Sequence, residues 1–149
     1  MIGYYTNYIY EEYRYLIVPF MVWFCIQAFK VVYDLVKTKK FNFKRILGAG
    51  GMPSSHSAVV TSLAAMLGKD YGLDSGIFAL SVIFAFVVMY DAAGIRRAAG
   101  KQAKLLNKIV ETPGLTGIQV TEKLVEVLGH SPTQVFVGAM IGILVGIIF

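Results

Sequence analysis

The feature that most constrains this chain is the run from Tyr15 to Val36, YLIVPFMVWFCIQAFKVVYDLV, in which Lys30 and Asp34 are the only charges. A helix of this length crosses a hydrocarbon core of about 30 Å, so the run predicts a first membrane span. A signal peptide is not expected, because Glu11 and Glu12 stand where a basic leader would and no small-residue cleavage site follows. Pro53 to Leu67 is apolar but short and rich in small and hydroxyl residues, which requires it to lie against other helices. Gly76 to Ala93 predicts a third span, with Asp91 near its end. Pro132 to Phe149 predicts a fourth, with Gly138, Gly142 and Gly146 forming a face for close helix contact. The expected fold is all-α, a polytopic membrane helix bundle of about four transmembrane helices plus short interfacial helices, built as one domain over residues 1–149.

Composition agrees. Hydrophobic residues make up 56% of the chain and charged residues 15%, against about 25% charge in soluble domains. Disorder is excluded and a soluble globule is disfavoured. The one cysteine, Cys25, lies inside the first apolar run, so the expected behaviour is that of a small hydrophobe and no disulfide within the chain can form.

The net charge of +5 is explained by where the cations sit. Residues 37–45 hold Lys37, Lys39, Lys40, Lys44 and Arg45 with no acid, and the 96–129 segment holds Arg96, Arg97, Lys101, Lys104, Lys108 and Lys123 against Glu111, Glu122 and Glu126. By the positive-inside rule both connections face the cytoplasm and both termini face outward. Contact with anionic phospholipids is expected there, and nucleic acid is not, since no binding motif accompanies the charge. The longer connection predicts two interfacial helices, Gly100 to Val110 and Thr116 to Leu128, separated by Thr112-Pro113-Gly114. Tyr4, Tyr5, Tyr8, Tyr10, Tyr13 and Tyr15 read as an outer interfacial belt.

Two strings carry chemistry. In Gly50-Gly51-Met52-Pro53-Ser54-Ser55-His56-Ser57 a glycine-flexed loop enters a helix, with Pro53 predicted at its first position and Ser54, Ser55 and His56 in its first turn. Helix amides beside two hydroxyls and an imidazole suit a phosphate cradle with its own acid or base. Gly129-His130-Ser131-Pro132 repeats the arrangement, with Ser131 as N-cap. The chain's two histidines therefore both precede or begin a membrane helix on the expected cytoplasmic side.

The strings GGMPSSHSA, YDAAGIRRAAGKQA and LGHSPTQVFVGAMIG resemble the divergent branch of the type 2 phosphatidic acid phosphatase and vanadium haloperoxidase superfamily, through most of the chain. Pro53-Ser54-Ser55-His56 answers that superfamily's second motif, with Ser55 in place of Gly. The string from His130 answers the end of the third, with Gln134 where an Asp is expected and Leu124 where an Arg is expected. The resemblance implies a phosphohistidine intermediate on His130, protonation of the leaving oxygen by His56, cationic side chains on the phosphoryl oxygens, and no metal or other cofactor. Arg96 and Arg97 are the expected replacements for the missing third-motif Arg, since guanidinium grips phosphate with a planar fork. Lys30 is a further phosphate-binding candidate, although Asp34 four residues on could hold it as an ion pair. Asp91 lies five and six residues from Arg96 and Arg97, the wrong spacing for a pair on one helix face, so its expected use is to orient a histidine.

The expected function is a lipid phosphatase at the plasma membrane, acting on a membrane lipid substrate. Phosphatidylglycerophosphate or phosphatidate of the inner leaflet comes first and a polyprenyl phosphate second. The rival reading is a non-catalytic protein that binds or transports anionic lipid. A homo-oligomer stays open.

Overall fold

The computed structural model describes residues 2–39, 50–112, 123–126 and 128–149, with side chains from residue 11 onward. The loop cations Lys40, Lys44 and Arg45 and the tyrosines Tyr4, Tyr5, Tyr8 and Tyr10 are therefore outside the described backbone or side chains. Among the described residues there are five helices and no strand: α1 Ile2–Thr38, α2 Ser55–Tyr71, α3 Gly76–Ala93, α4 Ile95–Glu111 and α5 Pro132–Ile148. The all-α expectation holds. Two stretches, Glu11–Thr38 and Gly76–Glu111, are long and apolar enough to cross a membrane, and Pro132–Ile148 is a shorter apolar helix.

Several boundaries differ from those expected. The first helix starts at Ile2 rather than near Tyr15, because the segment before the apolar run contains no proline and Glu11 pairs with Arg14 one turn on at 3.8 Å. The second continues past Leu67 to Tyr71 and stops where Gly72 takes φ +90°. Pro53 lies ahead of that helix, not at its first position, and Ser54 is the N-cap. The expected helix Gly100–Val110 starts five residues earlier, directly after Gly94. Of the expected helix Thr116–Leu128, residues 123–126 and 128 are not helical and the rest lies outside the described residues. Cys25 is exposed on α1 rather than buried.

Helix α2 is the hub, packed against α1, α3 and α5. Its composition explains this position: Ala58, Thr61, Ser62, Ala64 and Gly68 are small enough to let neighbouring backbones approach, and all are buried. The hydroxyls are satisfied by carbonyls. Ser62 Oγ donates to Val59 O at 2.8 Å, and Thr61 Oγ1 lies 2.8 Å from Ser57 O and 3.0 Å from Ala139 O of α5. The glycine face of α5 meets this surface directly. A Cβ on Gly138 would strike the Ser54 carbonyl, one on Gly142 the Ala58 carbonyl and the Thr61 hydroxyl, and one on Gly146 the Ser62 carbonyl. The small-residue face is thus used within the chain, between α2 and α5. By contrast α3 is apolar on nearly all sides, with Leu80, Ile83, Phe84 and Val87 exposed, the pattern of a helix whose outer surface meets lipid.

Candidate active site

The polar residues at the Ser54 end of α2 are brought together by backbone ties between separate segments. Ser54 N donates to Gln134 O at 3.0 Å, joining the start of α2 to the first turn of α5. His130 N donates to Ala92 O at 2.8 Å, joining the entry to α5 to the end of α3. Gly129 makes the approach to α4 possible: its φ is +84°, and a Cβ there would sit 2.5 Å from Arg97 N. Three helix ends therefore converge on His130.

Local capping fixes each end. Ser54 Oγ accepts from Ser57 N at 3.3 Å and from Ser57 Oγ at 2.9 Å, so the Ser54 hydroxyl is engaged in the cap of α2. At α5, Ser131 Oγ accepts from Gln134 N at 3.3 Å while Gln134 Oε1 accepts from Ser131 N at 3.0 Å. This reciprocal box uses the Gln134 side chain to hold the helix start immediately after His130.

His130 is 2% exposed. Its Nδ1 lies 3.1 Å from the carbonyl of Gly51. A carbonyl can only accept, so Nδ1 carries the proton and Nε2 carries the lone pair. That Nε2 is buried and has no hydrogen-bond partner among the described residues, and the same is true of His56 Nδ1. The two rings stand 5.8 Å apart at 65°. Burial pushes the His130 imidazolium below its ordinary value, and the charges of Lys30 and His56 push it further, against smaller support from Gln134 and the Gly51 carbonyl. The group is thereby held neutral, with its free nitrogen turned into the site.

Cationic charge surrounds the pair. Lys30 is 3% exposed and its charge bears on both histidines. Arg96 and Asp91 both bear on His56, and Arg96 Nε meets Asp91 Oδ2 at 2.6 Å. What is corrected is the spacing argument against an Asp91–Arg96 pair: the two form an ion pair, and the Asp91 charge bears on His56 as well. The five-residue spacing that argues against such a pair assumes one continuous helix. Here α3 closes with Gly94 N on Tyr90 O at 2.8 Å and α4 begins anew at Ile95, which folds Arg96 back toward Asp91. The Arg97 side chain is exposed, and its backbone is what touches Gly129. Ser55 is buried in the first turn of α2, beside His56.

Three elements of the site have no sequence signature. The Gly51 and Ala92 carbonyls hold His130 by main-chain atoms, which any residue supplies. Asn107 is the third: its Nδ2 donates to Leu124 O at 2.9 Å and Glu126 Oε1 at 3.0 Å, and its Oδ1 accepts from Leu124 N at 3.0 Å. These bonds clamp the segment that leads into His130 onto α4. In the sequence Asn107 is one polar residue among others on a basic helix, and its burial appears only in the fold.

A family profile described as the Divergent PAP2 family matches residues 12–145. The chain belongs to this family. Membership in the divergent PAP2 family agrees with the resemblance read from the two histidine strings, both of which lie inside the matched span. A similar protein, described as the uncharacterized membrane protein YuiD of Bacillus subtilis (strain 168), is 40% identical over 133 residues, which is 82% of this chain and 84% of that protein. No solved structure matches the chain. As a divergent PAP2 protein it is thus a PAP2-like, membrane-type chain, with its histidines gathered at one end of the bundle.

Proposed function

We propose that this protein is an integral-membrane phosphatase that hydrolyses a lipid phosphate monoester through a phosphohistidine on His130. The observation that carries this reading is the paired geometry of the imidazoles: His130 Nδ1 anchored on the Gly51 carbonyl, its Nε2 buried without a partner among the described residues, and His56 facing it at 5.8 Å between ring centres. Imidazole in this tautomer is a nucleophile at neutral pH. His130 Nε2 attacks phosphorus, the phosphorus–oxygen bond to the lipid breaks, and His56 gives its proton to the departing alkoxide. Water then attacks the phosphohistidine, His56 takes the water proton, and inorganic phosphate leaves with His130 restored.

Phosphoryl transfer needs mainly positioning and positive charge on the equatorial oxygens. Lys30, Arg96 and the first-turn amides of α2 with Ser55 supply these, and Arg97 adds charge at the mouth. Where the wider superfamily places a carboxylate behind the nucleophile, the Gly51 carbonyl holds the tautomer here. A carbonyl fixes the ring without stabilising an imidazolium as a carboxylate would, which keeps His130 neutral and nucleophilic.

Four spans, α1, α2, α3 and α5, with both termini outside and the histidine end at the cytoplasmic face, complete the reading. The uncompensated cations of the first connection and the basic surface of α4 support that orientation. Exposed Leu105, Leu106 and Ile109 on α4 suit a helix lying in the interface plane. The substrate is then an inner-leaflet phospholipid, phosphatidylglycerophosphate or phosphatidate. Purified protein in chelator-treated detergent should release phosphate from these lipids, and His130→Ala should not. Phosphate release at the parental rate by His130→Ala would remove the covalent mechanism.

A further inference from the structure

The contact between α1 and α5 is sparse, whereas both pack closely on α2. The gap holds a groove of about 580 Å³ lined by Ile26, Phe29, Lys30 and Tyr33 of α1 and by Val137 and Ile141 of α5. Met52 and Pro53 close its inner end, so it borders the loop whose Gly51 carbonyl anchors His130. A second cavity of about 280 Å³ continues it toward the outer side, with Cys25, Ile26 and Ile141 as shared walls and Val18, Val22 and Val145 beyond. Together they line one trench along the α1–α5 seam, floored where Ile141 and Val145 pack on Val22 and Ile26, and running beside α1 from Tyr33 to Val18, about 22 Å at the helical rise per residue. Lys30 is the single charge along it.

We infer that this trench is the binding site for one hydrocarbon chain of a membrane lipid carrying a phosphate monoester, with the chain lying between α1 and α5 and the phosphate drawn to Lys30. The proposal rests on the reading of the histidine end as a lipid-phosphate site and names how that site selects its substrate. Charge complementarity fixes the direction. A buried ammonium at the inner end, whose charge also bears on both histidines, attracts the anionic head, and the remaining walls are apolar over most of a monolayer's depth. The opening faces sideways, between two helices, so the lipid enters from the bilayer and its head reaches His130 without leaving the membrane. A phosphate ester with a short or absent chain forgoes this burial and is a poor substrate.

Occupancy can be read without turnover. In a Cys25→Ser, His130→Ala background, Ile141→Cys places a thiol in the trench, and Val137→Cys serves as a second probe if the first variant does not fold. The protein is placed in phosphatidylcholine nanodiscs, and the rate of thiol reaction with an apolar maleimide is followed. Added phosphatidate should slow the reaction several-fold, and Lys30→Gln should abolish that protection. Equal rates with and without phosphatidate would overturn the proposal. So would protection that is already complete in phosphatidylcholine alone, or that grows with protein concentration, since bulk lipid or a second copy would then fill the trench. In active protein, Ile141→Trp should lower the ratio of kcat/KM for long-chain over short-chain phosphatidate by about tenfold. An unchanged ratio contradicts the site. Absence of all phosphate release from the parent protein would instead count against the phosphatase reading, and the thiol result would still report on the trench.

Discussion

The two ends of the bundle both gather charged side chains, and they do opposite things with them. At the Asp70 end the charges cancel: Arg14 Nη2 meets Asp70 Oδ2 at 3.0 Å and the Tyr15 hydroxyl donates to the same oxygen at 2.8 Å. Lys69 Nζ donates to Ile147 O at 3.1 Å, tying α2 to the last turn of α5. Every group named there has a local partner, and the cluster serves as a clasp between α1 and α2. At the His130 end Asp91 pairs with Arg96, Lys30 and Arg97 add further positive charge, and two imidazole nitrogens are buried without a hydrogen bond among the described residues. A cluster whose charges cancel holds a fold, whereas one with an excess of cationic charge around two buried imidazole nitrogens suits the binding of an anion. An anion with three peripheral oxygens fits that excess.

Substitutions at the two ends should separate these roles. The largest effect belongs to His130→Ala, which should lower phosphate release by about a thousandfold or more while the helix content is retained, measured by turnover alongside circular dichroism. His56→Ala should follow, with a loss on the order of 10²–10⁴ from removal of the proton donor, smaller for a substrate whose leaving group needs no proton. Arg96→Lys should cost about tenfold, because an ammonium cannot reproduce a planar fork, and Arg97→Lys should cost less. Asp70→Asn at the opposite end should change stability by no more than about 1 kcal/mol, since Arg14 and Asp70 are both partly exposed, and should leave kcat unchanged. A large loss of activity from Asp70→Asn would erase the distinction between the two ends.

The pH dependence sharpens the same contrast. His130 must be neutral to attack, and its burial together with Lys30 holds its pKa down. The acid limb of the kcat/KM profile should therefore lie below the ordinary imidazole value of 6.5. Lys30→Gln removes one of the repelling charges, so the limb should move upward. An acid limb that stays in place in Lys30→Gln would separate Lys30 from the nucleophile.

Both histidine strings and the apolar helices are legible in the sequence because their signals are local: apolar runs, an N-cap serine, a proline, a glycine every fourth residue. The position of Gly138, Gly142 and Gly146 could be read as a contact face, but only the fold shows that α2 occupies it. The rest depends on tertiary placement. Asp91 and Arg96 meet because α3 and α4 break at Gly94, a turn that helical spacing does not anticipate. Gly51 acts through its carbonyl, so its side-chain identity matters only for the positive φ of 82° that the loop adopts. Asn107 acts on residues seventeen and nineteen positions away, beyond the reach of any periodicity argument.

The central claim is that His130 becomes covalently phosphorylated. The direct measurement is a rapid alkaline quench of purified protein turning over phosphatidate in the presence of chelator, followed by mass spectrometry of the peptide containing His130. The account predicts an alkali-stable, acid-labile phosphate on His130 that forms at the rate of turnover, accumulates in His56→Ala supplied with an activated phosphate ester, and is absent from His130→Ala. Phosphate release with no label on His130 at any time during turnover would contradict it.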